Sequence, residues 1–558
     1  MEKSYRKTGF LLALVILIAA ASNAYASDDI STQVEIPYET FQLDNGLTVL
    51  VHSDHSIPTV FVGMWYAVGS KDEPAGKTGF AHLFEHLMFQ GTESREGEYF
   101  TPFTDAGATG MNGTTSQDRT NYYATVPTGA LDMALWMESD RMSNLLGAVT
   151  QEALDEQRDV VKNEKRQGET RPYAKMADKI REGLYPVGHP YRHSVIGSMD
   201  DLDAASLEDV HEWFNTYYGA SNVVLVLAGD VTLDDAKTKV EHYFGGVPTG
   251  VPLSYPKKWV PELSENREEV MYDRVGVTRI TRVWALPGLN DRDTSLMYLV
   301  NDSLAGNKNS PLRKKLIDEL QLATTVYGRA DGQVMSGAYS LTIDLKPGIT
   351  PEQVLSVVDE TIAEYLQVGP DPQILENAKL GVNMYILGAL ETGASIGRLL
   401  AEGFLYSDDP LFVNQELEWL NAASAEDIRQ IASRWLTRGY YQLTVEPFPP
   451  YEAAESVVDR STIPPVTASG AINFPDTETA TLKNGMKLFV ATRGSIPLVD
   501  VSIEIETGGL AAPRNAPGLA SFVFGLMDKG TTEFDANELA AEKDKIGMSG
   551  QFRDGLEQ

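Results

Sequence analysis

The chain repeats itself, and that repeat constrains its fold more than any other feature. Leu43-Asp-Asn-Gly46 returns as Leu482-Lys-Asn-Gly485, and Ser56-Ile-Pro58 returns as Ser495-Ile-Pro497. Gly69, Gly79, Leu87-Met88 and Gly91-Thr92 return as Gly508, Gly518, Leu526-Met527 and Gly530-Thr531. Every pair is offset by 439 residues, without a gap. Self-similarity at one fixed offset marks a duplicated folding unit. The second copy ends at Gln558, well short of the first. The expectation is a chain that depends on a missing C-terminal half or on a companion chain.

The copies diverge where chemistry is concentrated. The first carries His82-Leu-Phe-Glu85-His86, and the second has Ser521, Phe524 and Gly525 at the matching positions. Positions i and i+4 of a helix share a face, with i+3 beside them. Two imidazoles and a carboxylate there suit a catalytic zinc, two as nitrogen ligands and one as proton acceptor. The spacing is that of the inverted zinc-peptidase motif. With 8 His and 79 Asp+Glu in 558 residues, chance would produce it roughly 0.02 times. A purely structural helix would bury two histidines and a glutamate among Phe80, Leu83, Phe84, Leu87 and Met88 without partners, at a heavy desolvation cost. The second copy keeps the apolar scaffold without those polar groups. Thr78 is the expected N-cap of this helix.

Composition narrows the setting. A net charge of -33 with no basic stripe argues against nucleic-acid partners. Lys3, Arg6 and Lys7 precede an apolar run, Gly9 to Ala21, and then Ala24-Tyr25-Ala26. This reads as a signal peptide over residues 1–26, cleaved after Ala26; an uncleaved anchor is the alternative. No later run is apolar and long enough to span a bilayer. Export with no cysteine fits a bacterial periplasm, or secretion, without disulfides.

Hairpins and helices alternate irregularly, which predicts an α+β fold rather than a doubly wound sheet. Asn45-Gly46 predicts a two-residue hairpin turn within residues 40–51. Strands are expected over 58–68, 121–127, 222–228, 279–286 and 337–345. Helices are expected over 129–144, 207–218, 293–304, 311–320, 351–367 and 425–436. The units implied are 35–250 around the H-x-x-E-H helix, a second unit at 251–447, a Pro-rich linker at 448–475, and the start of the second copy at 476–558. Of the remaining histidines, His52 and His55 read as solvated, His211 and His242 as surface or boundary positions, and His189 and His193 as loop residues without a metal role.

A catalytic zinc needs a third protein ligand. Behind a plausible cap at Thr150, Gln157, Val160, Val161 and Glu164 fall on one helical face. Glu164 on that stripe could ligate the metal or pair with a neighbouring base; spacing alone leaves both open.

H-x-x-E-H followed about 80 residues later by Arg158-Asp-Val-Val-Lys-Asn-Glu164 resembles the pitrilysin/insulin-degrading family of zinc peptidases. His189-Pro-Tyr191, Ile196-Gly197, Tyr217-Tyr218 and Ala228-Gly-Asp230 extend the resemblance. It implies repeated two-layer α/β units of the processing-peptidase kind, with mostly antiparallel sheets and helices on one face. It implies one zinc per chain held by His82, His86 and Glu164, with Glu85 as general base. It implies that Asn112, Gly113, Thr114 and Thr115 form an edge strand that pairs with a substrate peptide. The family often has a glutamate seven residues before the third ligand, supporting the metal site; this chain has Gln157 there. The function implied is an exported zinc endopeptidase acting on unfolded peptides. The alternative is a non-catalytic peptide-binding or assembly subunit.

Overall fold

The computed structural model describes residues 34–449, apart from 256 and 257. In the C-terminal part it describes residues 463, 477–492, 499, 501–505, 516, 518–527 and 529–545. The signal segment 1–26, most of the Pro-rich stretch 448–475, and the repeat positions Ser495 to Pro497 and Gly508 lie outside the described residues. The chain divides into two compact units at Tyr451/Glu452.

In the first unit, six strands form one sheet. They are β1 (Glu39–Gln42), β2 (Thr48–Ser53), β3 (Thr59–Tyr66), β4 (Thr109–Thr115), β5 (Thr120–Pro127) and β6 (Val223–Gly229). Their order is β1-β2-β6-β3-β5-β4, antiparallel except for β2 beside β6. Side chains alternate between faces along each strand. Val60, Val62, Met64 and Tyr66 of β3 therefore join one core, and Phe61 and Trp65 another. β6 is buried on both faces, which is why it reads Val-Val-Leu-Val-Leu-Ala-Gly.

The first core is closed by the helices Phe80–Leu87, Leu131–Asn144, Gln151–Glu169, Leu207–Tyr217 and Leu233–Phe244. A second sheet has the order β7-β11-β8-β10-β9. Here β7 is Arg267–Asp273, β8 Arg279–Leu286, β9 Ala323–Asp331, β10 Gly337–Leu345 and β11 Tyr441–Pro447. The helices Arg292–Asn301, Pro351–Val368 and Ala425–Leu436 cover one of its faces.

Each sheet borrows a helix from the other half of the unit. Gly393–Ser407, late in the chain, lays Ile396, Leu400 and Ala401 on Phe61, Trp65 and Val226 of the first sheet. Met176–Leu184, early in the chain, lays Ile180 and Leu184 on Val283, Leu443 and Val445 of the second. Both contacts are close because the crossing residue is glycine. A Cβ on Gly397 would lie 2.5 Å from the Phe61 ring, and one on Gly183 2.2 Å from the Tyr441 ring.

The second unit shows the duplication in three dimensions. Hairpin β12 (Thr477–Thr481) and β13 (Lys487–Ala491) repeats β1 and β2, and helix Leu519–Leu526 repeats Phe80–Leu87 residue for residue. Gly485 and Gly518 take φ of 89° and 87°, as Gly46 and Gly79 take 92°. The hairpin turn is longer than Asn-Gly alone predicts. Leu43 N–H donates to the Leu47 carbonyl, and Gly46 N–H to the Leu43 carbonyl, so three residues turn the chain with glycine in the left-handed position. Leu482, Gly485 and Met486 repeat those bonds. In the first copy Leu83, Phe84 and Leu87 are buried; their counterparts Phe522, Val523 and Leu526 are exposed.

Candidate metal centre

The Phe80–Leu87 helix forms because Phe80, Ala81, Leu83, Phe84 and Leu87 recur on one face and sink into the first core. That burial leaves His82 and His86 on the opposite side, half-buried. Thr78 is not its cap. Its hydroxyl donates to Asp201 at 2.5 Å, and Gly79 stands at the N-cap in the left-handed conformation. The free N–H groups of Gly79 and Ala81 donate instead to the Glu73 carboxylate, at 3.0 and 2.8 Å. Glu73 is an acceptor at the positive end of the helix, reached from six residues upstream.

Glu164 sits on the Gln151–Glu169 helix, capped by Thr150, whose hydroxyl accepts from Ala153 N–H. Leu154 and Val161 anchor that helix in the core, while Val160 is exposed and leaves the expected stripe. The Glu164 Oε2 lies 3.9 Å from His82 Nε2 and 3.7 Å from His86 Nε2. All three donor atoms fall within 4.8 Å of one another. The His82 and His86 rings stand edge to face, 4.9 Å apart. Burial, and then the neighbouring His86, push the His82 pKa down to about 4. His82 is therefore neutral at ordinary pH, and its contact with Glu164 is not an ion pair.

This set fits zinc. The donors are too far apart to hydrogen-bond, yet close to the roughly 3.3 Å separation of ligands about 2.0–2.1 Å from a tetrahedral ion. Two imidazoles and one carboxylate, with Glu164 half open to solvent, match a catalytic rather than a closed structural site. Among the described residues, His82 Nδ1 is buried without a hydrogen-bond partner, and no hydrogen bond joins half-buried Gln157 to either histidine. The ring is held by packing where metal-binding histidines usually lean on an outer partner.

Glu85 is buried beside the three donors, at 7% exposure. Burial raises its pKa to about 7, against the pull of the Thr115 hydroxyl and of Arg119. The Thr115 hydroxyl donates to Glu85 Oε2 at 2.6 Å. Thr115 ends β4, which among the described residues is the edge strand of the first sheet, with no strand beyond it. Ser116 N–H donates to the Arg119 carbonyl at 2.8 Å, closing the β4–β5 hairpin. Counting back from there, Asn112 and Thr114 turn their peptide groups toward β5, and Gly113 and Thr115 turn theirs to the free edge. Gly113 must be small, since a Cβ there would lie 2.6 Å from the Phe89 ring.

Three features escaped sequence reasoning: the Thr115–Glu85 bond, the Glu73 cap and the position of Arg119. Only Glu73 left a signal, an acid shortly before a helix start. Among the other histidines, His52 is buried and its Nδ1 lies 2.7 Å from the Pro37 carbonyl, so it is not solvated. His55 is exposed and pairs with Asp230. His189 lies in a loop, as its sequence suggests, and is buried there. Among the described residues no helix is long and apolar enough to cross a membrane.

Comparison with known proteins supplies the family and the fold. Residues 48–190 match the family model described as Insulinase (Peptidase family M16), and residues 204–382 match that of the Peptidase M16 inactive domain. Together they cover more than half of the chain, which belongs to the M16, or insulinase, family of peptidases. An uncharacterized zinc protease of Mycobacterium leprae is 25% identical over 408 residues, 73% of this chain and 91% of that protein. The zinc protease PqqE of Helicobacter pylori is 23% identical over 426 residues, 75% of this chain and 94% of that protein. A crystal structure of a protease from Helicobacter pylori superposes with a TM-score of 0.69 at 22% identity, covering 74% of this chain and all of that one. The first half of the periplasmic protease PqqL from Escherichia coli gives 0.60 at 19% identity, covering 74% of this chain and 92% of that one.

Proposed function

We propose that this chain is an exported zinc metalloendopeptidase that hydrolyses peptide bonds of extended, unfolded peptides. The observation that carries the reading is the convergence of His82 Nε2, His86 Nε2 and Glu164 Oε2 beside a buried Glu85, at the end of an open edge strand. Zinc in that donor set supplies a Lewis acid for the scissile carbonyl and makes a water more acidic. The peptide adds to the edge of β4 over Asn112–Thr115, where the main-chain groups of Gly113 and Thr115 are free to pair with it. This brings its backbone past Glu85. Glu85 accepts a proton from the attacking water and returns it to the leaving amine nitrogen as the C–N bond breaks. Its raised pKa suits both halves of that transfer. The Thr115 hydroxyl holds the carboxylate in place through one oxygen and leaves the other for the proton.

Export is supported by the leader-like residues 1–26 and by the periplasmic protease among the structural neighbours. The test is cleavage of a quenched peptide by the zinc-loaded chain, with and without chelator, beside Glu85→Gln. Hydrolysis that is lost in Glu85→Gln while zinc stays bound supports the assignment. Zinc binding with no turnover of any peptide would leave the non-catalytic peptide-binding subunit as the better reading.

A further inference from the structure

A buried chain of hydrogen bonds ties the tip of the β4–β5 hairpin to the second sheet. Asp118, 6% exposed, accepts from the Tyr191 hydroxyl at 2.5 Å and from Val334 N–H at 3.1 Å. The Tyr191 hydroxyl accepts from Met335 N–H at 2.9 Å. Val334 and Met335 lie in the loop between β9 and β10. Tyr191 N–H donates to His189 Nδ1 at 3.0 Å, and His189 Nε2 lies 2.9 Å from the Trp259 carbonyl. Trp259 N–H closes the circuit on the Met335 carbonyl at 3.1 Å.

These contacts assign the protons. His189 Nδ1 is an acceptor, so Nε2 carries the hydrogen. The Tyr191 hydroxyl already accepts from Met335, so its own proton goes to Asp118. Every donor has an acceptor, and a fully satisfied buried network fixes the geometry of what it joins. What it joins is unequal. One side is a sheet with none of the metal-site donors. The other is the hairpin whose Thr115 hydroxyl holds Glu85 and whose Arg119 donates to the Thr114 carbonyl at 2.8 Å. The main chain reinforces the same point, since Ser70 and Lys71 N–H donate to the Ser116 and Gln117 carbonyls.

We propose that Asp118 and Tyr191 are positioning residues, through which the second sheet sets the placement of edge strand β4 for an incoming peptide. This rests on the peptidase reading above. Tyr191→Phe removes the hydroxyl and leaves Met335 N–H without an acceptor. Asp118→Asn turns one acceptor into a donor that faces other donors. Both variants keep side-chain volume.

The experiment measures KM and kcat for a quenched peptide, with zinc content and folded fraction determined on the same samples. The expected result is a KM raised on the order of 10-fold in both variants, with kcat per folded, zinc-loaded molecule changed far less, because the docking strand rather than the base is loosened. A purely structural role lowers only the folded fraction and leaves KM unchanged, and that outcome overturns the proposal. Failure of both variants to fold overturns it too. A wild-type chain that binds zinc and cleaves nothing sinks the peptidase reading and this one with it, so the two failures are distinct.

Discussion

The burial of Glu85 has a thermodynamic signature in the metal-free protein. Its carboxyl titrates near 4.5 when exposed and near 7 when folded, because burial disfavours the anion. Below pH 4.5 it is protonated in both states and contributes nothing to the pH dependence. Between pH 4.5 and 7 the folded state keeps a proton that the unfolded state has released, so stability falls as pH rises. Above pH 7 the whole penalty is present, about 3 kcal/mol at 1.36 kcal/mol per pKa unit. Glu85→Gln has nearly the same shape, stays neutral and can still accept from Thr115. In chelator, the variant and the wild type should differ by a constant amount below pH 4.5. By pH 8 the variant should have gained up to about 3 kcal/mol on the wild type. Urea unfolding of the first unit from pH 4 to pH 8 measures the difference directly. A difference that is flat across this range, or that moves in favour of the wild type as pH rises, refutes the argument from burial.

Further outcomes follow from individual contacts. Glu73→Ala leaves the N–H groups of Gly79 and Ala81 without an acceptor and should cost about 2–4 kcal/mol, read by denaturant unfolding, with weaker zinc retention. Gly113→Val drives side-chain atoms into the Phe89 ring; a loss of about 1–3 kcal/mol and of peptide turnover is expected, checked by melting and hydrolysis assays. Glu164→Ala, at a half-exposed position, should change stability of the metal-free protein by less than about 0.5 kcal/mol. The same change should weaken zinc binding by more than about 100-fold in competition with a chelator dye.

Local pattern was legible where it settles local structure. The i, i+4 histidines predict the Phe80–Leu87 helix, and the strand expected over 279–286 forms as Arg279–Leu286. The repeat predicts the glycine turn at 485 and the helix start at 518. What could not be read depends on partners distant in sequence. Thr78 has the chemistry of a cap, but Asp201 takes its hydroxyl and Glu73 takes its role. His52 sits at a strand end that looks open, until the chain before β1 folds over it. Val160 falls on the apolar stripe by count, yet the core receives only Leu154 and Val161. The Thr115 bond to Glu85 joins a helix to a strand 30 residues on, and spacing carries no trace of it.

The exchange of helices between the two sheets sets a timetable for folding. Phe61, Trp65, Val224 and Val226 emerge from the ribosome long before Ile396, Leu400 and Leu417, which cover them. At about 5–20 residues per second the gap from Val226 to Leu417 alone lasts on the order of 10 to 40 s, during which the back of the first sheet is a sticky apolar surface. The early Met176–Leu184 helix must likewise wait for β11, whose last residue is Pro447. Nascent chains of this architecture should therefore be clients of holding chaperones until nearly the whole first unit has been made. A stop codon anywhere between residues 250 and 390 should yield aggregate rather than a half-sized protein.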